Sequence, residues 1–218
     1  MKKFLPLLCL LAVCNLKLPA QSSRAPKLVH VTRMPSAQVP ADDPPAGLVG
    51  LFNNLGSGTD LFNDAYGWEI TGPNWGGVGP GQFFALPFTP KSNSHVSQVR
   101  VAIEWGENGA NQINLSIYAD SNGSPGSLLA GPVTVTNLPY YFTCCKLTTA
   151  NFTPLALSAG TQYWIVANTP ASGTGSDFYG LWDVVPQVVP EADTSDGSTW
   201  IPRNANTQAA AQVLGTIP

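Results

Sequence analysis

The chain has 218 residues, of which only 11% are charged, and it carries 21 glycines, 20 prolines and a formal net charge of −3. This length suffices for one β-sandwich or β-barrel with a sizeable core, and many turn-forming residues with so little charge are typical of an all-β extracellular domain rather than a cytosolic α/β enzyme. A mildly acidic chain is also poorly suited to binding nucleic acid or an anionic membrane.

The start of the chain has the pattern of an export signal. Two lysines, Lys2 and Lys3, precede an apolar run over residues 4–13. That run is about half as long as a transmembrane helix needs to be, which disfavours an uncleaved anchor. We therefore predict a signal peptide over residues 1–20, cut after Ala20, and a protein that is secreted or held at the cell surface or in the periplasm.

Cys14 raises the alternative of a lipid anchor. It follows Leu-Ala-Val, which is close to a lipoprotein signal, but Val13 is a poor residue directly before a lipidated cysteine, so lipidation is disfavoured. Cleavage after Ala20 removes three lysines, which leaves seven basic against 13 acidic residues and a formal charge of −6. Because no second long apolar stretch follows, we predict no transmembrane helix in the mature chain.

Residues 21–46 are rich in proline, alanine and serine and show little periodicity. This composition predicts a disordered or extended tether, with a short leading strand around residues 28–31 as the alternative. Residues 47–218 then form the single predicted domain.

Short apolar runs bounded by turn residues follow one another through that domain, as expected for antiparallel sheets. The runs cover residues 47–54, 67–71, 82–88, 98–105, 112–119, 132–138, 145–152, 161–168, 177–184, 198–202 and 209–217. About 10–11 such strands suit an all-β domain of two packed antiparallel sheets. No long internal repeat is visible, which disfavours a solenoid or a propeller.

The runs at 98–105 and 112–119 show the clearest alternation. The rows predicted to face the core are Val99, Val101, Ile103 and Trp105 in the first run and Ile113, Leu115, Ile117 and Ala119 in the second. The opposite row of the first run holds Gln98, Arg100 and Glu104, which predicts a solvated face. The linker at 106–111 holds two glycines and two asparagines and predicts a hairpin, and residues 120–127 predict a second reversal.

Four segments, at residues 67–74, 84–90, 117–129 and 157–167, are together similar to the secreted bacterial "choice-of-anchor" domains, most nearly the R type. The resemblance covers residues 47–217 and implies a jelly-roll-like β-sandwich outside the cell, but no activity. Relatives often end in a Pro-Glu-Pro sorting tail. Here Pro190 and Glu191 are followed by Ala192 and a polar stretch, so the resemblance implies a member without that C-terminal anchor.

Cys144 and Cys145 are the two cysteines that signal removal leaves, and they are adjacent. Export into an oxidising environment favours their pairing. Neighbouring Cα atoms lie only about 3.8 Å apart, below the usual disulfide range, so a vicinal bridge would be strained. The alternatives are a bridge, which would present a flat apolar plate to a sugar ring, or two small unpaired strand residues.

Aromatic residues in two predicted loops are candidates for ligand binding. Trp75 lies in a glycine-rich loop, and Tyr140 and Tyr141 precede the cysteine pair. Exposed aromatic planes on the loops of a β-sandwich can hold pyranose rings through apolar contact, while nearby Asn and Asp side chains bond the hydroxyl groups. The alternative is that these rings cover the ends of the sandwich core.

Two carboxylates in the loop at residues 57–67, Asp60 and Asp64, could ligate a structural Ca²⁺ ion. Asx residues that cap turns explain the same loop without metal. Zinc is disfavoured because His30 lies in the tether and His95 stands alone. We predict no other cofactor.

A glycosidase needs two carboxyl groups that face each other across a cleft, for which Glu69 and Glu104 are the candidates. Because Glu104 lies on the polar row, a solvated strand face is the favoured interpretation, and no nucleophile-elbow sequence accompanies His95. The leading hypothesis is an exported, non-catalytic module that binds a glycan or another cell-surface or extracellular component. The alternatives are a structural envelope or matrix protein without a small ligand and, less favoured, a glycan-active hydrolase.

Overall fold

The computed structural model describes residues 27–30, 43–57, 60–77, 81–141, 146–170 and 174–218. Within these ranges the chain forms strands β1 Leu28–His30, β2 Val49–Asn53, β3 Gly56–Ser57, β4 Asp60–Leu61, β5 Asn63–Thr71, β6 Phe83–Phe88, β7 Ser94–Val101, β8 Ile103–Asn108, β9 Gln112–Asp120, β10 Pro125–Thr136, β11 Thr148–Leu157, β12 Tyr163–Asn168, β13 Tyr179–Thr194, β14 Ile201–Ala209 and β15 Ala211–Thr216. Two short 3₁₀ turns, Trp75–Gly77 and Thr174–Asp177, complete the regular structure of these ranges.

The strands form two antiparallel sheets that pack face to face. The larger sheet has the order β1-β5-β13-β6-β12-β9-β10, with β8 and β14 also paired to β13. The smaller sheet has the order β11-β7-β15-β2, and β3 pairs with β4 separately. The prediction of an all-β fold with two antiparallel sheets is confirmed, and the jelly-roll connectivity stays a prediction.

The main core lies between the two sheets. The larger sheet contributes Trp182, Phe84 and Ile165, and the smaller sheet contributes Val99 and Val213, all of them buried. Val99, Val101 and Ile103 and also Ile113, Leu115 and Ile117 are fully buried, as their alternation predicts. Trp105 is partly buried and packs against the same cluster.

The predicted hairpin between residues 98–105 and 112–119 is wrong. The first run is two strands, because β7 ends at Val101 in the smaller sheet and β8 begins at Ile103 in the larger one. Ala102 makes the crossing: its N–H donates to the carbonyl of Ala210, and its carbonyl accepts from the N–H of Asp183. β8 then pairs with β13, whereas β9 pairs with β10 and β12.

The second reversal is confirmed as the turn between β9 and β10. Asn122 and Gly123 have φ angles of 55° and 81°. Positive φ at both central residues is what a type I′ turn requires, and this turn matches the twist of a hairpin. The N–H of Ser121 donates to the carbonyl of Ser124 at 2.8 Å, and Pro125 pairs with Asp120 directly after the turn.

The predicted solvated row of the first run is also wrong for two of its members. Arg100 is 8% exposed and Glu104 is 1% exposed. The guanidinium of Arg100 donates to the carbonyl of Asp43, in the segment before β2, at 3.4 Å. It also donates to the amide oxygen of Gln98 on its own strand, at 2.9 Å. A segment from elsewhere in the chain therefore contacts a side chain that alternation alone would leave in water.

At the N-terminal side, residues 28–30 form the short leading strand that was the alternative to a tether at these positions, and β1 pairs with β5. At the C-terminal side, residues 211–216 form β15 in the smaller sheet. Among the described residues, no helix has the length and apolar character needed to cross a membrane.

Gly180 of β13 provides a test of how closely this strand is packed. A Cβ atom at this position would overlap the carbonyl oxygen of Glu104 and the ring of Phe178. We expect Gly180→Ala to lower the free energy of unfolding by about 2–3 kcal/mol in urea denaturation, because overpacking forces backbone shifts. Gly50→Ala in β2 is the matched control, since nothing lies within 4 Å of its Cβ position. Equal losses in the two variants would contradict this packing.

Candidate functional site

Trp75 lies on a turn that is tied to the second 3₁₀ turn. The backbone N–H and the side-chain amide of Asn74 donate to the carbonyl and the hydroxyl oxygen of Ser176, at 2.7 and 2.8 Å. Gly72 allows this close approach, because a Cβ atom there would overlap the Ser176 carbonyl. The Trp75 ring stacks on Tyr179 with a centroid distance of 4.6 Å and an interplanar angle of 18°. One face of the indole is therefore covered and its position is fixed.

Trp75 is half-buried, a state between the two interpretations of its loop, an exposed binding plane and a ring that covers the end of the core. Its indole nitrogen is buried and has no hydrogen-bond partner among the described residues. Tyr179, on which it rests, is the first residue of β13, and the Tyr179 ring lies against Gly106 of β8, where a Cβ atom would overlap the ring. A cross-strand aromatic ring over a glycine is a known way of covering an exposed stretch of strand backbone.

Tyr140 and Tyr141 lie on the other side of β8. The N–H of Trp105 donates to the carbonyl of Pro139 at 2.8 Å, and the carbonyl of Trp105 accepts from the N–H of Tyr141 at 3.1 Å. Trp105 is in a bridge with Tyr140, and the two tyrosine rings meet edge to face with centroids 5.0 Å apart. Since neighbouring strands are spaced by about 4.8 Å, the tyrosine segment runs roughly 10 Å from β13.

The structure thus brings three of the predicted ligand-binding residues to one strand. The backbone of β8 is bonded to β13, whose Tyr179 stacks on Trp75 of the first 3₁₀ turn, and on its opposite edge to the segment with Tyr140 and Tyr141. All four rings are half-buried. We call this set of four rings around β8 the aromatic site.

Glu69 and Glu104 lie in one cross-strand row on either side of Leu181. In register, Leu181 of β13 faces Glu69 of β5 on one side and Glu104 of β8 on the other. Opposite residues of antiparallel strands point to the same face, so the row faces away from the core row of Trp182. Glu69 is 2% exposed and Glu104 is 1% exposed, so neither carboxylate can meet a polymer without movement of what covers it.

Several predicted features lie wholly or partly outside what the structure describes, including the signal peptide at residues 1–20 and most of the tether at residues 21–46. Cys144 and Cys145 are not among the described residues. Asp60 and Asp64 lie on strands β4 and β5, but their side chains are outside the described part. Among the residues that are described, no three His, Cys, Asp or Glu side chains cluster as metal ligands would. The calcium site at Asp60 and Asp64 stays a prediction.

Asp120, at the end of β9, shows what an Asx residue does in such turns. One carboxylate oxygen accepts from the side chains of Gln162 and Trp164 at 2.7 and 2.8 Å. The other oxygen accepts from the N–H of Gly123 at 3.3 Å. The carboxylate therefore closes the β9–β10 turn and ties it to β12.

Sequence reasoning missed a buried polar cluster along the second half of β13. Arg203 donates to both carboxylate oxygens of Asp193, at 2.5 and 3.2 Å, and the side-chain amide of Gln82 donates to the same carboxylate at 3.3 Å. Glu191 lies two residues before Asp193 on the same strand face and is fully buried. The signal in the sequence was the spacing of Glu191 and Asp193, which has the two-residue period of a strand.

Glu191 is the second carboxyl group of this cluster. Arg203 is its direct cross-strand neighbour but binds Asp193. Burial raises the pKa of Glu191 to about 9, partly offset by the hydrogen bond that its carboxyl accepts from the N–H of Ala209 at 2.8 Å. At neutral pH the side chain is therefore a neutral carboxylic acid inside the domain.

Three comparisons with known proteins bear on identity. A scan against protein-family models found no matching family, and searches of curated proteins and of solved structures found no match either. The resemblance to choice-of-anchor domains stays a prediction from the four sequence segments.

The Glu191 carboxyl predicts a pH dependence of stability. Because its pKa is raised from 4.5 to about 9 on folding, the folded state holds a proton that the unfolded state loses, and the free energy of unfolding falls as pH rises through this window. Glu191→Gln keeps an acceptor for Ala209 but has no such proton to lose. We expect urea denaturation to show a flat profile for this variant and a free energy of unfolding several kcal/mol above the wild type at the alkaline end.

Asp196→Asn is the control for that experiment. The N–H groups of Thr199 and Ser198 hold the pKa of the Asp196 carboxyl well below its usual range. Because the pKa of Asp196 is lower in the folded than in the unfolded state, its carboxylate stabilises the fold above the unfolded pKa, and this stabilisation is lost in acid. The loss of unfolding free energy caused by Asp196→Asn should therefore shrink as pH falls below about 4. Parallel profiles of wild type and Glu191→Gln between pH 4.5 and 9 would contradict the assignment to Glu191.

Proposed function

We propose that the protein is an exported, non-catalytic module that binds a glycan or another extracellular surface component through the aromatic site. The observation that carries this proposal is the placement of two aromatic pairs beside one strand. Trp75 rests on Tyr179 on one side of β8, and Tyr140 contacts Tyr141 on the other. Partly exposed aromatic rings at fixed positions offer apolar contact area to sugar rings.

Contacts with neighbouring residues hold the rings of the aromatic site in place. The Trp75 turn is bonded to Ser176, the Tyr179 ring lies on Gly106, and Tyr141 is bonded to Trp105. Rings that are already held in place lose little freedom when a ligand arrives, which lowers the entropic cost of association.

Cys144 and Cys145 extend this proposal. They follow Tyr141 by three and four residues, so a vicinal bridge would add an apolar plate close to the tyrosine pair along the chain. The proposal that they take part in binding rests on this sequence position alone.

A structural envelope or matrix role without a small ligand is the alternative proposal, and a glycan-active hydrolase is the weaker one. The shared row of Glu69 and Glu104 supports the hydrolase proposal. Their strands lie about two strand spacings, or roughly 10 Å, apart, and the two carboxyl groups of inverting glycosidases are separated by about 6.5–9.5 Å. It is weakened by the burial of both carboxylates and by Leu181 between them.

Binding to a glycan array tests the proposed site. We expect Trp75→Ala to weaken binding of the selected glycan about tenfold, since the loss of one stacked ring costs roughly 1–2 kcal/mol. Trp75→Phe should retain most of the affinity, because the buried indole nitrogen bonds to no described residue. Tyr66→Ala is the matched control, since Tyr66 is 38% exposed and lies on β5 against His30.

The outcomes of this experiment separate the proposals. Binding that is unchanged in Trp75→Ala would reject the aromatic site, and the absence of glycan binding by the wild type would favour the structural role. Turnover of reporter glycosides that is lost in both Glu69→Gln and Glu104→Gln would instead establish a hydrolase.

Intact mass of the exported protein tests the localisation and the thiols together. We expect a chain that begins at Gln21 and has therefore lost Cys14, whereas a lipidated product would begin at Cys14. Mass before and after reduction, each with thiol alkylation, reports whether Cys144 and Cys145 are joined. A purified product that retains residues 1–20 would contradict the predicted export signal.

A further inference from the structure

The strands and turns of the aromatic site carry charge of one sign. They lie within residues 60–77, 101–141 and 174–185, which hold eight Asp or Glu residues and no Lys, Arg or His. The nearest basic residues along the chain are Arg100, which donates to the carbonyl of Asp43, and Lys146, which is exposed five residues beyond Tyr141. These elements bring no positive charge of their own to a ligand, so an anionic ligand is disfavoured.

Asp177 is held where the Trp75 turn meets the end of β8. The carbonyls of its two chain neighbours accept hydrogen bonds from N–H groups just before Trp75, at 2.7 and 2.8 Å. On its other side the carboxylate lies against Gly109, the residue that follows β8, where a Cβ atom would overlap Oδ1 of Asp177. A carboxylate therefore has a fixed place at the aromatic site, two residues along the chain from Tyr179.

The charge of Asp177 is not matched within the described part of the chain. There, no group donates to its Oδ1 and no basic side chain forms an ion pair with it. The side chain is half-buried, so water and salt screen it less than they screen a fully exposed carboxylate. A cationic ligand that comes close to it does not have to compete with a protein cation.

The rings of the site have the same preference. The faces of Trp and Tyr side chains carry the negative part of the ring quadrupole, and they attract a cation that lies within about 6 Å. A sugar ring that stacks on an aromatic plane carries its substituents around its rim. An amine on that rim can therefore reach a carboxylate beside the stack while the sugar face stays on the aromatic ring.

We infer that the ligand of the aromatic site is a cationic glycan, namely a polymer of amino sugars whose amines are free rather than acetylated. The inference rests on the proposed function and names the class of glycan that the site takes. Sugar faces stack on the aromatic rings, and a protonated amine of one unit lies beside Asp177. A basic peptide has the charge but lacks the apolar sugar faces that fixed aromatic planes accommodate.

Binding of four oligomers of equal length to the exported chain tests this inference. They consist of glucosamine, N-acetylglucosamine, a uronic acid and lysine, and calorimetry is done at low salt in mildly acidic buffer, where the amines are protonated. We expect the glucosamine oligomer to bind about tenfold more tightly than the acetylated one, since an ion pair and a cation–π contact each contribute a few-fold. The preference should largely disappear at about 0.5 M salt.

Asp177→Asn tests the assigned carboxylate. We expect it to lower the preference for the glucosamine oligomer about threefold to fivefold. The affinity for the acetylated oligomer should stay unchanged, which also shows that the variant is folded. Asp43→Asn is the matched control, because it removes the same charge from an exposed residue in the segment before β2 and should change neither affinity.

The outcomes separate this inference from the proposed function. Equal binding of the glucosamine and acetylated oligomers, both weakened by Trp75→Ala, would overturn the cationic ligand and leave the aromatic site in place. Tighter binding of the uronic acid oligomer, equal binding of the lysine oligomer, or a preference that Asp177→Asn leaves intact would overturn the inference as well. If none of the glycans binds, the inference falls together with the proposed glycan site.

Discussion

The pairing of β13 on both of its edges is the constraint on which the rest of the structure depends. Its first half lies between β5 and β8, and its second half pairs with β14 and β6. One strand of 16 residues thereby joins elements from both ends of the chain. Trp182 anchors it in the core, where the indole N–H donates to the carbonyl of Ala210 at 2.8 Å. This strand also carries Tyr179 of the aromatic site and Leu181, which lies between Glu69 and Glu104.

Alternation in the sequence predicts the apolar side of this sheet well and its other side poorly. Ile113 and Ile117 are buried as their period demands, because apolar side chains leave water wherever the pleat puts them on a common face. Glu104 and Arg100 have the opposite parity and are buried too. The segment at Asp43, which contacts Arg100, comes from a distant part of the chain, and local periodicity contains no information about such a contact.

The break at Ala102 illustrates the same limit. Residues 98–105 have one uninterrupted alternation, yet the backbone leaves one sheet and joins the other there. The backbone of Ala102 is hydrogen-bonded to the carbonyl of Ala210 and the N–H of Asp183, and these partners lie 108 and 81 residues further along the chain. The reversal at Asn122 and Gly123 could be predicted, because it depends on positive φ angles that these two residue types themselves favour.

Composition pointed to three of the four rings around β8, and their part in ligand binding stays a proposal. Trp75, Tyr140 and Tyr141 were recognisable because large rings in glycine-rich or polar loops have few local reasons to be there. Tyr179 was not, since its strand-like neighbours explain it equally well as a core residue, and only the register with β8 shows that its ring lies over Gly106. The structure identifies Tyr179 as the residue on which the Trp75 ring stacks.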